Sequence, residues 1–205
     1  MRRLLGGEVR RVGPSWLRQL IWDAEFSTGK WDFLHPPEGL VEFLVAIMNP
    51  SSTLLDLGCG TGGLIASLRS RGRAGHFVGV DISKQALRLA TRRGLSDCSW
   101  IHSDLRDFTS DTQYDVVVIV ESIYYLDLKD AADFLRRARN FLTPAGVIVI
   151  RVHNCHEYND YANVIRSILP SSREFPTHEV GLYFVFRADG RYESIASSKA
   201  TSSGL

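Results

Sequence analysis

The chain is short of cysteine, of long apolar runs and of any charge excess. Its three cysteines, Cys59, Cys98 and Cys155, are odd in number and far apart, a pattern that supports neither a disulfide framework nor a zinc knuckle. No metal site is therefore expected, and the free thiols suggest a reducing, cytoplasmic compartment. No stretch approaches the ~20 apolar residues that cross a bilayer as a helix, so no membrane partner is expected. Lys plus Arg number 24 against 23 Asp plus Glu, a net charge of +1, and that balance gives no global field to draw in nucleic acid. The opening Met1-Arg2-Arg3-Leu4-Leu5-Gly6-Gly7 is basic but lacks the apolar core of a secretory signal, so none is expected. What is present, 44% hydrophobic residues in a chain of 205, suffices for one α/β core with a small lid.

Strand-like and helical patterns alternate from residue 38 onward. Glu38–Met48 has Leu40, Val41, Leu44, Val45 and Met48 at helical spacing. Thr53–Leu57 reads as a short strand, Leu64–Arg71 as a helix, His76–Val80 as a strand and Ser83–Arg93 as a helix capped by Ser83. Ser99–His102 is a weak third strand. Tyr114–Val120 is so uniformly apolar that it is predicted to be buried on both faces of a parallel sheet. Asp130–Phe141 is predicted helical and stopped by Thr143-Pro144-Ala145-Gly146, followed by a strand at Val147–Val152 and a helix at Asp160–Leu169. Leu182–Phe186 reads as a closing antiparallel strand, with Asp189-Gly190 turning into Arg191–Ala196. The sum is a doubly wound, mostly parallel sheet. The expected organisation is an arm and aromatic-rich lid at 1–37, the main domain at 38–196 and a disordered tail at 197–205.

The segment Asp56-Leu57-Gly58-Cys59-Gly60-Thr61-Gly62-Gly63 is the most informative. Alternate glycines let backbone pass close beneath a ligand while bending from strand to helix. Gly58, Gly60 and Gly63 also satisfy a dinucleotide fingerprint, so the neighbouring acids decide. Asp56 at the strand end would repel a diphosphate but suits an ammonium and a sulfonium. Asp81 ends the second strand, where an acid can accept both ribose hydroxyls, and Asp104 follows the third. At these residues the chain resembles the class I (Rossmann-like) S-adenosylmethionine-dependent methyltransferases, over roughly residues 38–155. The resemblance implies S-adenosylmethionine as cofactor. It implies that Asp56 with the backbone of Gly58, Cys59 and Gly60 holds the methionine part and that Asp81 holds the ribose. Ile82 would lie on the adenine face, and Asp104 with Leu105 on its edge.

The acceptor side is less defined. After the fourth strand stands Glu121-Ser122-Ile123-Tyr124-Tyr125, with Tyr125 where many small-molecule members carry His. The tyrosine pair is faintly similar to the nodulation-factor N-methyltransferases, and the Asn/Asp-Pro-Pro-aromatic motif of nucleobase N-methylation is missing. A base is needed only where the acceptor arrives protonated; Tyr125, His153 and Tyr124 are the candidates, with His156 also near the sheet edge. Glu121 is expected to support the cofactor amine or the loop after it. In the amino-terminal cluster Trp22 to Leu34, Trp31 is the preferred wall of the cofactor or substrate, while Asp23, Glu25 or Asp32 could attract a cationic amine. Arg2, Arg3, Arg10 and Arg11 form a basic arm; without an aromatic-basic surface pattern it ranks RNA below a small-molecule acceptor. The expected function is methyl transfer to a nitrogen or oxygen of an amine, sugar or natural-product intermediate. The rivals are an RNA or protein methyltransferase of the same fold and a non-catalytic S-adenosylmethionine- or nucleotide-binding module.

Overall fold

A computed structural model of the chain describes residues 10–29, 31, 35–37, 39–177 and 181–191. Helix α1 (Ser15–Ser27) and α2 (Leu40–Ile47) precede β1 (Leu54–Leu57), α3 (Gly63–Ser70), β2 (Phe77–Asp81), α4 (Lys84–Arg92), β3 (Cys98–His102) and β4 (Tyr114–Val120). Then follow α5 (Leu128–Ala138), β5 (Leu142–Val152), α6 (Asn159–Ile168), β6 (Arg173–Pro176) and β7 (Leu182–Arg187). The strands form one sheet in the order β3-β2-β1-β4-β5-β7-β6. β1 to β5 pair in parallel, and β7 runs antiparallel to both β5 and β6. This is the doubly wound sheet with an antiparallel strand that the sequence predicts.

Side-chain alternation splits the apolar strands between two cores. Leu55, Val117, Ile119, Ile148 and Ile150 pack with Phe134 and Leu135 of α5 and Ile165 of α6. Leu54, Val116, Val118, Val147 and Val149 pack on the other face with Leu40 and Leu44 of α2 and Ile65 and Leu68 of α3. Each such side chain, once fully buried, contributes about 1.5–3 kcal/mol. Burial on both faces explains the run of valines in β4. The Ser83 cap forms as predicted, its hydroxyl accepting from the Ala86 N–H at 3.0 Å.

One local expectation is corrected. Thr143–Gly146 does not stop the preceding helix: α5 ends at Ala138, a 3-10 turn covers Arg139–Phe141, and β5 already starts at Leu142. Its pairing jumps from Tyr114↔Leu142 to Val116↔Val147, so Pro144, which has no N–H to give, sits in a bulge. β7 pairs with β5 and with β6; the four residues of β6, three of them exposed, give no strand signal. The turn at Gly190 does form, its N–H donating to the Arg187 carbonyl at 3.2 Å. The expected second arm beyond Arg191, the tail 197–205, Arg2 and Arg3, Asp32 and part of the segment joining α1 to α2 lie outside the described residues.

Candidate active site

The turn from β1 into α3 is drawn against the end of β2. The N–H groups of Gly58 and Cys59 donate to the Val80 carbonyl at 2.8 and 3.0 Å, and the Gly60 N–H donates to Asp81 Oδ2 at 2.8 Å. Gly58 has φ +88°, and a Cβ there would lie 2.4 Å from the Ser122 Cβ. Gly62, with φ +73°, leaves room for Trp100 in the same way. Glycine is thus demanded at both positions by backbone sign and by crowding.

Beneath the turn opens a cavity of about 530 Å³. Its walls include Asp56, Gly58, Cys59, Gly60, Asp81, Ile82 and Leu105 from the strand ends, Glu121, Tyr125 and Leu126 after β4, and Arg151 and His153 at the end of β5. Asp56 and Asp81 are 3% and 8% exposed. Burial, with the charge of Asp81 added, raises Asp56 to about 7, and burial raises Asp81 to about 6. Asp81 accepts from the N–H groups of Gly60 and Ser83, which leaves each oxygen a lone pair towards the cavity. Asp56 has no cation opposite it among the described residues. Two buried carboxylates, one of them with no cation opposite it among the described residues, fit a ligand that brings an ammonium and hydroxyl groups, as S-adenosylmethionine does. Cys59 is buried, and burial pushes its thiol well above the ordinary value, so its part is packing rather than nucleophilic attack.

Helix α1 roofs the cavity. Trp22 and Phe26 line it together with Trp31, and Trp22 meets Tyr125 edge-on with centroids 4.7 Å apart. Trp31 is held by its indole N–H on Glu25 at 3.3 Å, and Glu25 also pairs with Arg10. Asp23 is committed elsewhere: it accepts from the Ser83 hydroxyl at 2.7 Å and the Gln85 N–H at 2.9 Å, which fastens α1 to the start of α4. Neither acid stands free for a substrate amine, as the sequence reading had allowed.

Asp104 differs from its expected place at the adenine edge. It is not in the cavity wall; its Oδ2 accepts from Arg18, from Arg106 and from the Ser15 hydroxyl, and its Oδ1 accepts from the Arg106 N–H. Burial works against its charge, but these donors hold its carboxyl below the ordinary range. Arg18 also donates to the carbonyls of Arg10 and Tyr125, at 2.7 and 3.0 Å. Its role was not read from the sequence; an arginine on a helix face gives no such signal without the partner, 86 positions away.

Of the acid–base candidates, Tyr125 and His153 line the cavity and Tyr124 does not. Tyr124 stacks on Tyr158 at 4.1 Å and reaches Glu121 at 3.4 Å, and burial raises its phenol. His156 is also outside the cavity wall. Glu121 is paired with the buried Arg151, a residue the sequence reading passed over as part of a strand. Among the described residues no group of three or more His, Cys, Asp or Glu could hold a metal ion, and no helix is long and apolar enough to cross a membrane.

Residues 54–146 match the family model described as a methyltransferase domain. The chain is 29% identical over 140 residues to the cypemycin N-terminal methyltransferase of a Streptomyces species, covering 66% of this chain and 56% of that protein. It is 32% identical over 105 residues to the trans-aconitate 2-methyltransferase of Azoarcus sp. strain BH72, covering 51% and 40%. The chain thus spans about half the length of these curated relatives. Among solved structures it is similar to the N-methyltransferase NodS of Bradyrhizobium japonicum WM9 in complex with S-adenosyl-L-homocysteine. That likeness has a TM-score of 0.68 at 19% identity, over 82% of this chain and 97% of NodS. The glycine turn with its flanking acids and the strand order accord with the match of residues 54–146 to a methyltransferase domain, and the fold of the chain is that of the class I, Rossmann-like methyltransferases.

Proposed function

We propose that the protein transfers a methyl group from S-adenosylmethionine to a nitrogen or oxygen of a small-molecule acceptor, an amine, sugar or natural-product intermediate. The observation that carries this reading is the pair of buried carboxylates, Asp56 and Asp81, in one roofed cavity without a cation opposite Asp56 among the described residues. Asp81 would accept the ribose hydroxyls, and Asp56 with the Gly58–Gly60 turn would hold the methionine ammonium. Ile82 and Leu105 would flank the adenine, and Trp31 would close the outer wall. Asp104 serves the lid in this reading.

When bound, the cofactor supplies an electrophilic methyl group on a sulfonium, an already good leaving group. The chain's own task is alignment and the exclusion of water. Helix α1 provides the exclusion through Trp22 and Phe26. A cavity of about 530 Å³ under a helix favours a small acceptor over an RNA or protein surface. The similar Streptomyces and Azoarcus proteins are named for acceptors of unlike chemistry, so the acceptor must be read from this chain's own residues. Its three cysteines are all unbridged, in keeping with a cytoplasmic setting.

The test is incubation with methyl-labelled S-adenosylmethionine and a cell extract fractionated by size. Label in the small-molecule fraction is expected. Label in RNA or protein would replace the acceptor class, and cofactor binding without any transfer would favour a non-catalytic module.

A further inference from the structure

Glu121 and His153 come from neighbouring strand ends. β4 and β5 run parallel with Val120 opposite Arg151, and the Glu121 N–H donates to the Arg151 carbonyl at 3.2 Å. His153 is two residues further on, just past the end of β5, and its Nδ1 stands 4.0 Å from Glu121 Oε1. The guanidinium of Arg151, 6% exposed, pairs with the same carboxylate. All three line the cavity, with the His153 side chain half exposed at its mouth.

The backbone marks the same place. Glu121 has φ +55°, one of two non-glycine residues with positive φ among those described. Side chains rarely adopt this conformation, and where surroundings hold them in it, they gather at functional sites. Here the hold is the Arg151 carbonyl behind the chain and the Arg151 guanidinium against the carboxylate.

Resting on the methyl-transfer reading above, we propose that Glu121 is a positioning residue that takes the Nδ1–H of His153, leaving Nε2 to accept a proton from an aliphatic amine acceptor. The separation of 4.0 Å is an ion-pair distance that a small side-chain rotation shortens to a hydrogen bond, as is common when a ligand fills a site. The acceptor class follows from the chemistry. An aliphatic ammonium lies about four pK units above imidazole, whereas an alkyl hydroxyl lies far beyond both. Asp56 and Asp81 place acidic groups in the cavity wall, where Glu121 is offset by Arg151 and Arg18 by Asp104. Tyr125 is not a rival, because burial raises its phenol and a protonated phenol at neutral pH has no capacity to take the proton.

The step balances. One N–H bond of the ammonium breaks and its proton goes to Nε2. The freed nitrogen pair forms the N–CH3 bond, and the C–S bonding pair stays on sulfur as a neutral thioether. His153 then releases its proton through the open mouth. The titratable and charged groups sharing the cavity with His153 are Glu121 and Arg151 beside it, and Asp56, Cys59, Asp81, Arg18, His35 and Tyr125 around it.

Nitrogen-15 NMR of the imidazole tests the pair without any acceptor. In the wild-type chain the neutral His153 ring is expected as the Nδ1–H tautomer. In Glu121→Gln it should revert towards Nε2–H. An Nε2–H ring in the wild type, or the same tautomer in both proteins, overturns the pairing. The second arm follows labelled methyl transfer to a panel of alkylamines, amino sugars and a peptide amino terminus. His153→Gln should lose about 100-fold in turnover at pH 7, keep its KM for S-adenosylmethionine, and recover towards pH 10 as the amine arrives deprotonated. Equal turnover at pH 7 overturns the base, and a wild type that binds S-adenosylhomocysteine yet methylates no amine overturns the acceptor class. A wild type that does neither overturns the methyl-transfer reading, and the NMR arm still decides the Glu121–His153 pair.

Discussion

Arg18 of α1 and Asp104 after β3 form an ion pair with both side chains 3% exposed. The same guanidinium donates to the Tyr125 carbonyl after β4, so a single side chain ties the roof to two of the loops beside the cavity. Removing one member of such a pair strands the other's charge away from water. Asp104 keeps Arg106 as a partner, which limits the loss.

Arg18→Ala is therefore expected to cost about 3 kcal/mol in urea unfolding and to expose α1 to proteases before the sheet. Arg18→Lys should recover only part of this, since an ammonium cannot match the guanidinium's fork of donors. Unchanged stability and protease resistance in Arg18→Ala would show that the roof is held by its aromatic packing alone.

Asp56 and Asp81 give the protein an unusual pH response. Both titrate higher in the fold, at about 7 and about 6, than the roughly 3.9 of an unfolded aspartate. Between those limits the folded chain binds more protons than the unfolded one. Stability without cofactor should therefore be highest below about pH 4 as far as these groups decide it, falling as pH rises and levelling off above pH 7. A ligand ammonium favours the ionised acids, so S-adenosylhomocysteine binding should release protons between pH 6 and 7 and none at pH 8. Calorimetry in buffers of different ionisation enthalpy measures that release directly.

Asp56→Asn separates stability from binding. The amide removes a buried charge that lacks a cation, so the cofactor-free variant should be about 1–2 kcal/mol more stable at pH 8. Its affinity for S-adenosylhomocysteine should fall at least tenfold. Thermal unfolding with and without ligand reads both, and a variant that is less stable and binds equally well would place the methionine ammonium elsewhere.

Gly58→Ala meets two obstacles at once, a φ of +88° and the Ser122 Cβ at 2.4 Å. Loss of about 2–4 kcal/mol is expected. The double variant with Ser122→Gly should regain only the steric share. Full recovery in that double variant would mean that the backbone sign at Gly58 costs nothing.

Much of this was legible because it is local. The strand valines, the Ser83 cap and the run from Asp56 to Gly63 report their own structure through period, cap chemistry and glycine spacing. Eleven of the thirteen proposed site residues line the cavity, Asp104 and Tyr124 being the exceptions. Both exceptions have long-range causes. Asp104 is claimed by Arg18, and Tyr124 by a ring on Tyr158. The Glu121–Arg151 pair likewise depends on the register of two strands, and Pro144 misled because a bulge absorbs it. Patterns along the chain carry no record of which distant charge arrives to neutralise which.

The most direct check is calorimetric titration of the wild-type chain and a folded Asp81→Ala variant with S-adenosylmethionine. One site per chain is expected for the wild type, with affinity about 10- to 100-fold weaker in Asp81→Ala from the lost ribose hydrogen bonds. Absence of binding heat in the wild type, or equal affinity in the two proteins, would contradict the assignment of this cavity to the methyl donor.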